Sequence, residues 1–290
     1  MSDKLHNKKK LILSGGGVKG LATLGALKAL FEYDPNFYNN IDTIAGSSVG
    51  SVIATLLLLD YTVTDLFDFV TVLDFTRLRP NNFKSSKISL TNILDNLINK
   101  YGFDDGENIM MVIKKLFQQK NIKINITFKE LYEKTNKNLI ITATCINSKK
   151  VHYFSIDTPD MEILLAVRMS ISIPVYFIPV KHNHNYYVDG SCIDNYPIQL
   201  FEENLNEVIG IYLSDATKVV TSINNMEDYL INTFKSLLEG INCNALKGYE
   251  KYSIKISIEE INIMNLNLDQ NKKLEIFNTG YVSAKSFLSI

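Results

Sequence analysis

Tryptophan is absent from this chain, and cysteine and histidine are scarce, at three and four in 290 residues. Each shortage closes off a class of function. The cysteines, Cys145, Cys192 and Cys243, have no regular spacing, which argues against a disulfide framework and predicts a reducing compartment. Of the histidines, His6, His152, His182 and His184, only the last two stand together, and no third ligand accompanies them. No acidic loop has calcium spacing, so neither a metal nor any other cofactor is expected. A net charge of −1 provides no field for a nucleic-acid partner. No window approaches the roughly eighteen apolar residues that span a bilayer. The start, Met1 to Lys10, is basic and polar, without an apolar stretch of signal-peptide length. These absences predict a cytoplasmic protein, peripheral on membranes at most.

What the chain does have is apolar content, 46%, enough for one large core. Residues 1–9 read as a flexible basic N-terminus with Lys8–Lys10 solvated. Residues 10–290 read as a single domain with a core of about 10–215 and a C-terminal extension of about 216–290. Apolar runs and helical periodicities alternate, as an α/β fold requires. Strands are expected at Lys10–Ser14, Ile41–Ala45, Leu139–Ile146, Val151–Ile156, Tyr186–Val188, Val208–Leu213 and Tyr252–Ile258. Helices are expected at Val18–Phe31, Val49–Leu59, Thr64–Leu73, Leu90–Lys100, Asn108–Gln118, Phe128–Glu133, Met161–Met169, Met226–Leu238 and Gln270–Leu288. Phe75–Lys87, with Arg77, Arg79, Pro80, Asn81 and Asn82, is loop-like.

Glycine is concentrated where chemistry would need it. Gly15-Gly16-Gly17-Val18-Lys19-Gly20 follows the first apolar run and opens a helix. Three residues without Cβ let a negative oxygen approach the main chain, and the helix start adds partial positive charge. The stretch also spells the Gly-x-Gly-x-x-Gly dinucleotide fingerprint. A nicotinamide site wants a carboxylate about twenty residues on, at the end of the second strand. Here that strand ends in Gly46-Ser47-Ser48-Val49-Gly50 instead. This second cluster is the Gly-x-Ser-x-Gly elbow, with Ser48 at its apex between an apolar strand and an apolar helix. Ser47 is expected to point away.

A serine nucleophile needs a base, usually a histidine. No histidine follows His184, whereas an α/β-hydrolase places its histidine late. His182 or His184 with Asp157 or Asp160 is one option. A carboxylate is better placed: Asp189-Gly190-Ser191 closes the short strand Tyr186–Val188, so Asp189 can point into a cleft at the strand ends. Three functions from different classes stay open on the residues alone. They are an acyl hydrolase using Ser48 and Asp189, a histidine-dependent esterase or thioesterase, and a non-catalytic nucleotide- or lipid-binding module.

In order, Gly15–Gly20, Gly46–Gly50, the Ser-x-x-x-Pro segment within Arg168–Pro179, and Asp189-Gly190 resemble the motifs of the patatin-like phospholipase family. The match runs from about Leu11 to Ser191, and the helix around Gly280-Tyr281 is more weakly similar to the family's closing helix. The resemblance implies a three-layer α/β/α sandwich with a central, mostly parallel sheet. It implies hydrolysis of fatty-acyl ester bonds in phospholipids or related lipids at a membrane surface, through an acyl-enzyme, with an activating protein partner open. It makes Ser48 the nucleophile and Asp189 the proton acceptor, with Gly15, Gly16 and Gly17 as the oxyanion hole and Gly20, Gly46, Gly50 and Gly190 as motif glycines. The chain departs from the pattern at Ser51 and Ser191, where smaller residues are commoner.

Overall fold

The computed structural model describes residues 4–78, 97–215, 244–258 and 268–289, with isolated positions between 223 and 240. The strands are β1 (Lys10–Leu13), β2 (Thr43–Gly46), β3 (Gly102–Asp104), β4 (Asn138–Cys145), β5 (Lys150–Phe154), β6 (Val175–Phe177), β7 (Val180–His182), β8 (Asn185–Asp189), β9 (Val208–Asp215) and β10 (Ser253–Ile258). The helices are α1 (Gly20–Tyr33), α2 (Phe37–Asn40), α3 (Val49–Leu58), α4 (Val63–Val72), α5 (Glu107–Gln119), α6 (Phe128–Thr135), α7 (Ile163–Ser170) and α8 (Gln270–Leu288). Most expected elements appear within two or three residues of their expected ends. The short strands β3, β6 and β7 carry too few residues to show a period. The expected helix Leu90–Lys100 is described only at 97–100, which are helical. Most of the expected helix Met226–Leu238, the loop beyond Leu78 and Cys243 lie outside the described residues.

The main sheet has eight strands in the order β10-β9-β1-β2-β4-β8-β7, with β5 also on β4. From β10 to β4 the pairings are parallel, and β5, β7 and β8 join antiparallel. A central, mostly parallel sheet flanked by helices is the predicted class. Side chains alternate across it, as strand geometry demands. Leu11, Leu13, Ile44, Ile209 and Ile211 face the larger core, formed with α1, α3, α7 and α8. Ile12, Ala45, Val208 and Tyr212 face a smaller one around Tyr196 and Ile198. Strands buried on both faces read as continuous apolar runs, which is why β1 and β9 were legible.

β4 is the ruler of the fold. β5 occupies one edge of it from Ile141 to Cys145. The other edge carries β2 first, with Gly46 opposite Ile141, and then β8, with Asp189 opposite Ala143. The carboxyl ends of β2 and β8 therefore meet head to head.

The N-terminus corrects the expectation of a free tail for the residues described. Leu5 is fully buried in the larger core. Lys4 Nζ donates to the Phe287 carbonyl at 2.8 Å, and Lys9 pairs with Glu207 at 2.8 Å. One apolar side chain in a polar stretch is enough to anchor it, because its burial is worth about 1.5–3 kcal/mol.

Helices α1 and α8 cross closely enough for their backbones to touch. A Cβ on Gly25 would overlap the Phe277 carbonyl, and one on Gly280 would overlap the Ala22 carbonyl. Gly25→Ala and Gly280→Ala should each destabilise the fold by about 1–3 kcal/mol through overpacking. Gly240→Ala is the control, because its added methyl meets nothing within 4 Å. Denaturant titration of the three variants checks this, and a Gly25→Ala protein as stable as the control would contradict the close crossing.

Candidate active site

The candidate site is built where β1, β2 and β8 end. Past β1, Ser14 is tied back to β9: its N–H donates to Ile211 O at 3.1 Å, and its hydroxyl accepts from Leu213 N at 2.9 Å. The glycine turn begins there. Gly15 N–H donates to the backbone and side-chain oxygens of Asn195 at 3.2 and 3.0 Å. Gly17 sits at φ 56, a left-handed conformation that favours glycine. Among the described residues no hydrogen bond takes the N–H of Gly16 or Gly17. Of the three glycines expected to hold an oxyanion, Gly15 thus has its donor engaged, and Gly16 and Gly17 carry the free ones.

Ser48 stands between β2 and α3 at φ 49, ψ −127, a strained backbone for a residue with Cβ. The elbow closes because Gly46 and Gly50 let backbones approach. A Cβ on Gly46 would lie 2.5 Å from the Gly50 carbonyl carbon, and one on Gly50 would lie 2.7 Å from Ser14 O. Ser48 N–H donates to Ser170 Oγ at 2.9 Å. Ser51, in place of the commoner glycine, is fully buried and donates its hydroxyl to Ser48 O at 2.6 Å. Ser47 Oγ is buried and has no hydrogen-bond partner among the described residues. It lies beside the Asp189–Gly190 turn, where a Cβ on Gly190 would sit 2.8 Å from it.

Asp189 completes the constellation. Ser48 Oγ donates to Asp189 Oδ2 at 2.7 Å. Oδ1 accepts from both Ser191 N, at 2.9 Å, and Ser191 Oγ, at 2.6 Å. The Asp189 N–H donates to Ser172 O at 2.8 Å. The carboxyl is fully buried, and desolvation pushes its pKa up to about 6 against the pull of these donors.

The histidines are elsewhere. His182 and His184 lie at the β7–β8 turn, and His182 pairs with Asn185. That is the far end of β8, ~13 Å along the strand from Asp189 at about 3.4 Å per residue. His152, on β5, packs edge-on to Tyr187 with ring centroids 5.4 Å apart. His6 is exposed. Asp157 approaches Ser155 and no histidine. No histidine hydrogen-bonds to Ser48 or Asp189. Among the described residues no group of three or more His, Cys, Asp or Glu could hold a metal ion.

Asn195, Ser170 and Ser172 support the site without having been singled out individually in the sequence. Ser170 and Ser172 fall inside the Ser-x-x-x-Pro segment, which was the available signal. Nothing local marks Asn195, because its partner Gly15 is 180 residues away.

Comparison with known proteins gives these residues a family. The family model described as patatin-like phospholipase matches residues 11–201. The chain belongs to the patatin-like phospholipase family. Its match begins on β1 and takes in the glycine turn, the elbow and the Asp-Gly turn of this patatin-like chain. An uncharacterised protein of Acanthamoeba polyphaga mimivirus is 36% identical over 96% of this chain and 92% of its own length. A probable lipid hydrolase of Invertebrate iridescent virus 6 is 38% identical over 66% of this chain and 62% of its own length. Among solved structures, VipD from Legionella pneumophila superposes with a TM-score of 0.60 at 19% identity, over 98% of this chain and 67% of that one. That likeness is one of fold. Among the described residues of this patatin-like chain, no helix is long and apolar enough to cross a membrane.

The buried carboxyl has a consequence for stability. Folding raises its affinity for a proton from the ordinary value near 4 to about 6. The resulting stabilisation is fully present below pH 4 and is lost as pH rises through about 6, a swing of roughly 3 kcal/mol. Asn at position 189 cannot ionise. The melting temperature of Asp189→Asn minus that of the native protein should therefore be larger at pH 8 than at pH 5. A difference that is flat or shrinks over that interval would contradict a raised Asp189.

Proposed function

We propose that this chain cleaves fatty-acyl ester bonds of lipids through a dyad of Ser48 and Asp189. Membership of a phospholipase family puts the reaction class at lipid hydrolysis, and the 2.7 Å hydrogen bond from Ser48 Oγ to Asp189 Oδ2 carries the finer reading. A lipid ester carbonyl lies beside Ser48. As Oγ attacks, Asp189 accepts its proton, and the carbonyl oxygen becomes an oxyanion. The unengaged N–H groups of Gly16 and Gly17 face that charge, and losing one such donor costs an enzyme about 3 kcal/mol of transition-state stabilisation. The proton passes to the leaving alcohol, which departs to give an acyl-enzyme. Water, deprotonated by the same carboxylate, then releases the fatty acid.

A free carboxylate is a weak base at neutral pH. Burial to a pKa of about 6 brings Asp189 within reach of the operating range, where a general base is most effective. The strained elbow holds Ser48 ready in front of it, so little rearrangement precedes attack. The substrate is an acyl lipid, met at a membrane surface.

Ser48→Ala and Asp189→Asn should each lower ester hydrolysis by at least about a thousandfold, the order seen when a member of such a unit is removed. Ser47→Ala and the double change His182→Ala with His184→Ala should leave it within a few-fold. An alkyl fluorophosphonate should add its mass at Ser48 in the native protein. A folded Ser48→Ala protein with full activity, or a thousandfold loss on removing a histidine, would overturn the dyad.

A further inference from the structure

Two donors reach one oxygen of Asp189, and both belong to Ser191. Its N–H, at 2.9 Å, is supplied by the 3-10 turn at Gly190–Cys192 and would exist with any residue there except proline. Its hydroxyl, at 2.6 Å, exists because residue 191 is serine. We propose that the Ser191 hydroxyl is a positioning group for the dyad, locking Asp189 Oδ1 so that Oδ2 faces Ser48 and holding the carboxylate in its charged, base-competent form. This inference rests on the Ser48–Asp189 reading and adds to it what fixes the base.

The geometry leaves little else to do this work. A carboxylate can turn about its Cβ–Cγ bond, and such torsions are broad. With Oδ1 held by two donors from one residue, rotation that would carry Oδ2 away from Ser48 breaks both. Other neighbours do not substitute. From the elbow, Ser48 supplies the single bond to Oδ2. From β4, Ala143 lies opposite Asp189, and Thr142, which does not titrate, flanks Gly190. From the loop after α7, Ser172 accepts the Asp189 N–H through its carbonyl, and the Arg168 guanidinium ends on the Ser172 hydroxyl, one residue removed from the carboxylate. Farther along the Asp189 loop, Asp194 is held by Tyr153, at 2.7 Å, and by Gln199. The Cys192 thiol is pushed up by burial and by the Asp189 charge, so it stays protonated and adds no charge. Desolvation drives Asp189 towards its neutral form, and the hydrogen bond from the Ser191 hydroxyl is the strongest pull against that drive.

A hydrogen bond to a charged group that is worth more than a neutral one shifts the acceptor's pKa when it is removed. The test is the pH dependence of kcat/KM on a p-nitrophenyl acyl ester, for the native protein, Ser191→Ala and Ser191→Thr. In Ser191→Ala the acid limb should move up by about one unit. Activity at pH 6 relative to pH 8.5 should then fall about fivefold, a ratio that a uniform loss through misfolding leaves unchanged. Ser191→Thr, which keeps a hydroxyl, should bring the limb back. If Ser191→Ala does not fold, Ser191→Gly removes the same hydroxyl and reads the same limb. A folded variant lacking the hydroxyl whose acid limb coincides with the native one overturns the inference alone. Full turnover by Ser48→Ala or Asp189→Asn in the same assay overturns the dyad and this inference together.

Discussion

Asp189 and Ser48 can meet because β2 and β8 run towards each other along one edge of β4. A parallel strand delivers the serine turn at its carboxyl end, and an antiparallel strand delivers the carboxylate at its own. One residue of β4, Thr142, separates the two ends, with Ile141 opposite Gly46 and Ala143 opposite Asp189. A slip of one residue would send every side chain of β8 to the other face of the sheet. The site geometry is therefore as firm as the hydrogen-bonded register beneath it. It also explains the glycines around the gap. Gly190 passes between Thr142 and Ser47 where no Cβ would fit, and Gly46 lies against the first turn of α3.

The gap is also where the structure carries unfavourable terms. Among the described residues, Asp189 is a fully buried carboxylate without a cation beside it, Ser48 has a left-handed φ, and Ser47 Oγ has no partner. Each lowers stability, and each has a use in the proposed reaction: a base raised towards neutrality, a serine presented at the apex, and a tight turn that excludes a rival hydroxyl. Concentration of strain and raised pKa values in one place is what active sites show. The surroundings offset it with packing. The larger core wraps one face of the sheet, α8 presses on α1 backbone to backbone at Gly25 and Gly280, and Leu5 closes the N-terminal edge.

The loop after Asp189 links the parts. Ser191 holds the carboxylate, Asn195 takes the Gly15 N–H, and Tyr196 anchors the smaller core. One short segment thus sets the position of the Asp189 carboxylate and of the glycine turn together. By engaging Gly15, it also leaves the Gly16 and Gly17 N–H groups as the ones without a partner among the described residues.

Local chemistry was legible in the sequence wherever a residue's role depends on near neighbours. The elbow needs glycines two residues either side of Ser48, the nest needs successive glycines, and buried strands need apolar runs, so all three are written in consecutive letters. So was the final helix, Gln270–Leu288. Tertiary structure alone decided the rest. That Asp189 hydrogen-bonds to Ser48 while His182 and His184 sit at the far end of β8 is a matter of strand register across 141 residues of chain, and no local pattern encodes register. The same holds for Asn195 reaching Gly15 and Leu5 filling the core. The burial that raises Asp189 comes from elements throughout the chain, because a pKa reports the dielectric around a group, and only the folded packing creates that environment.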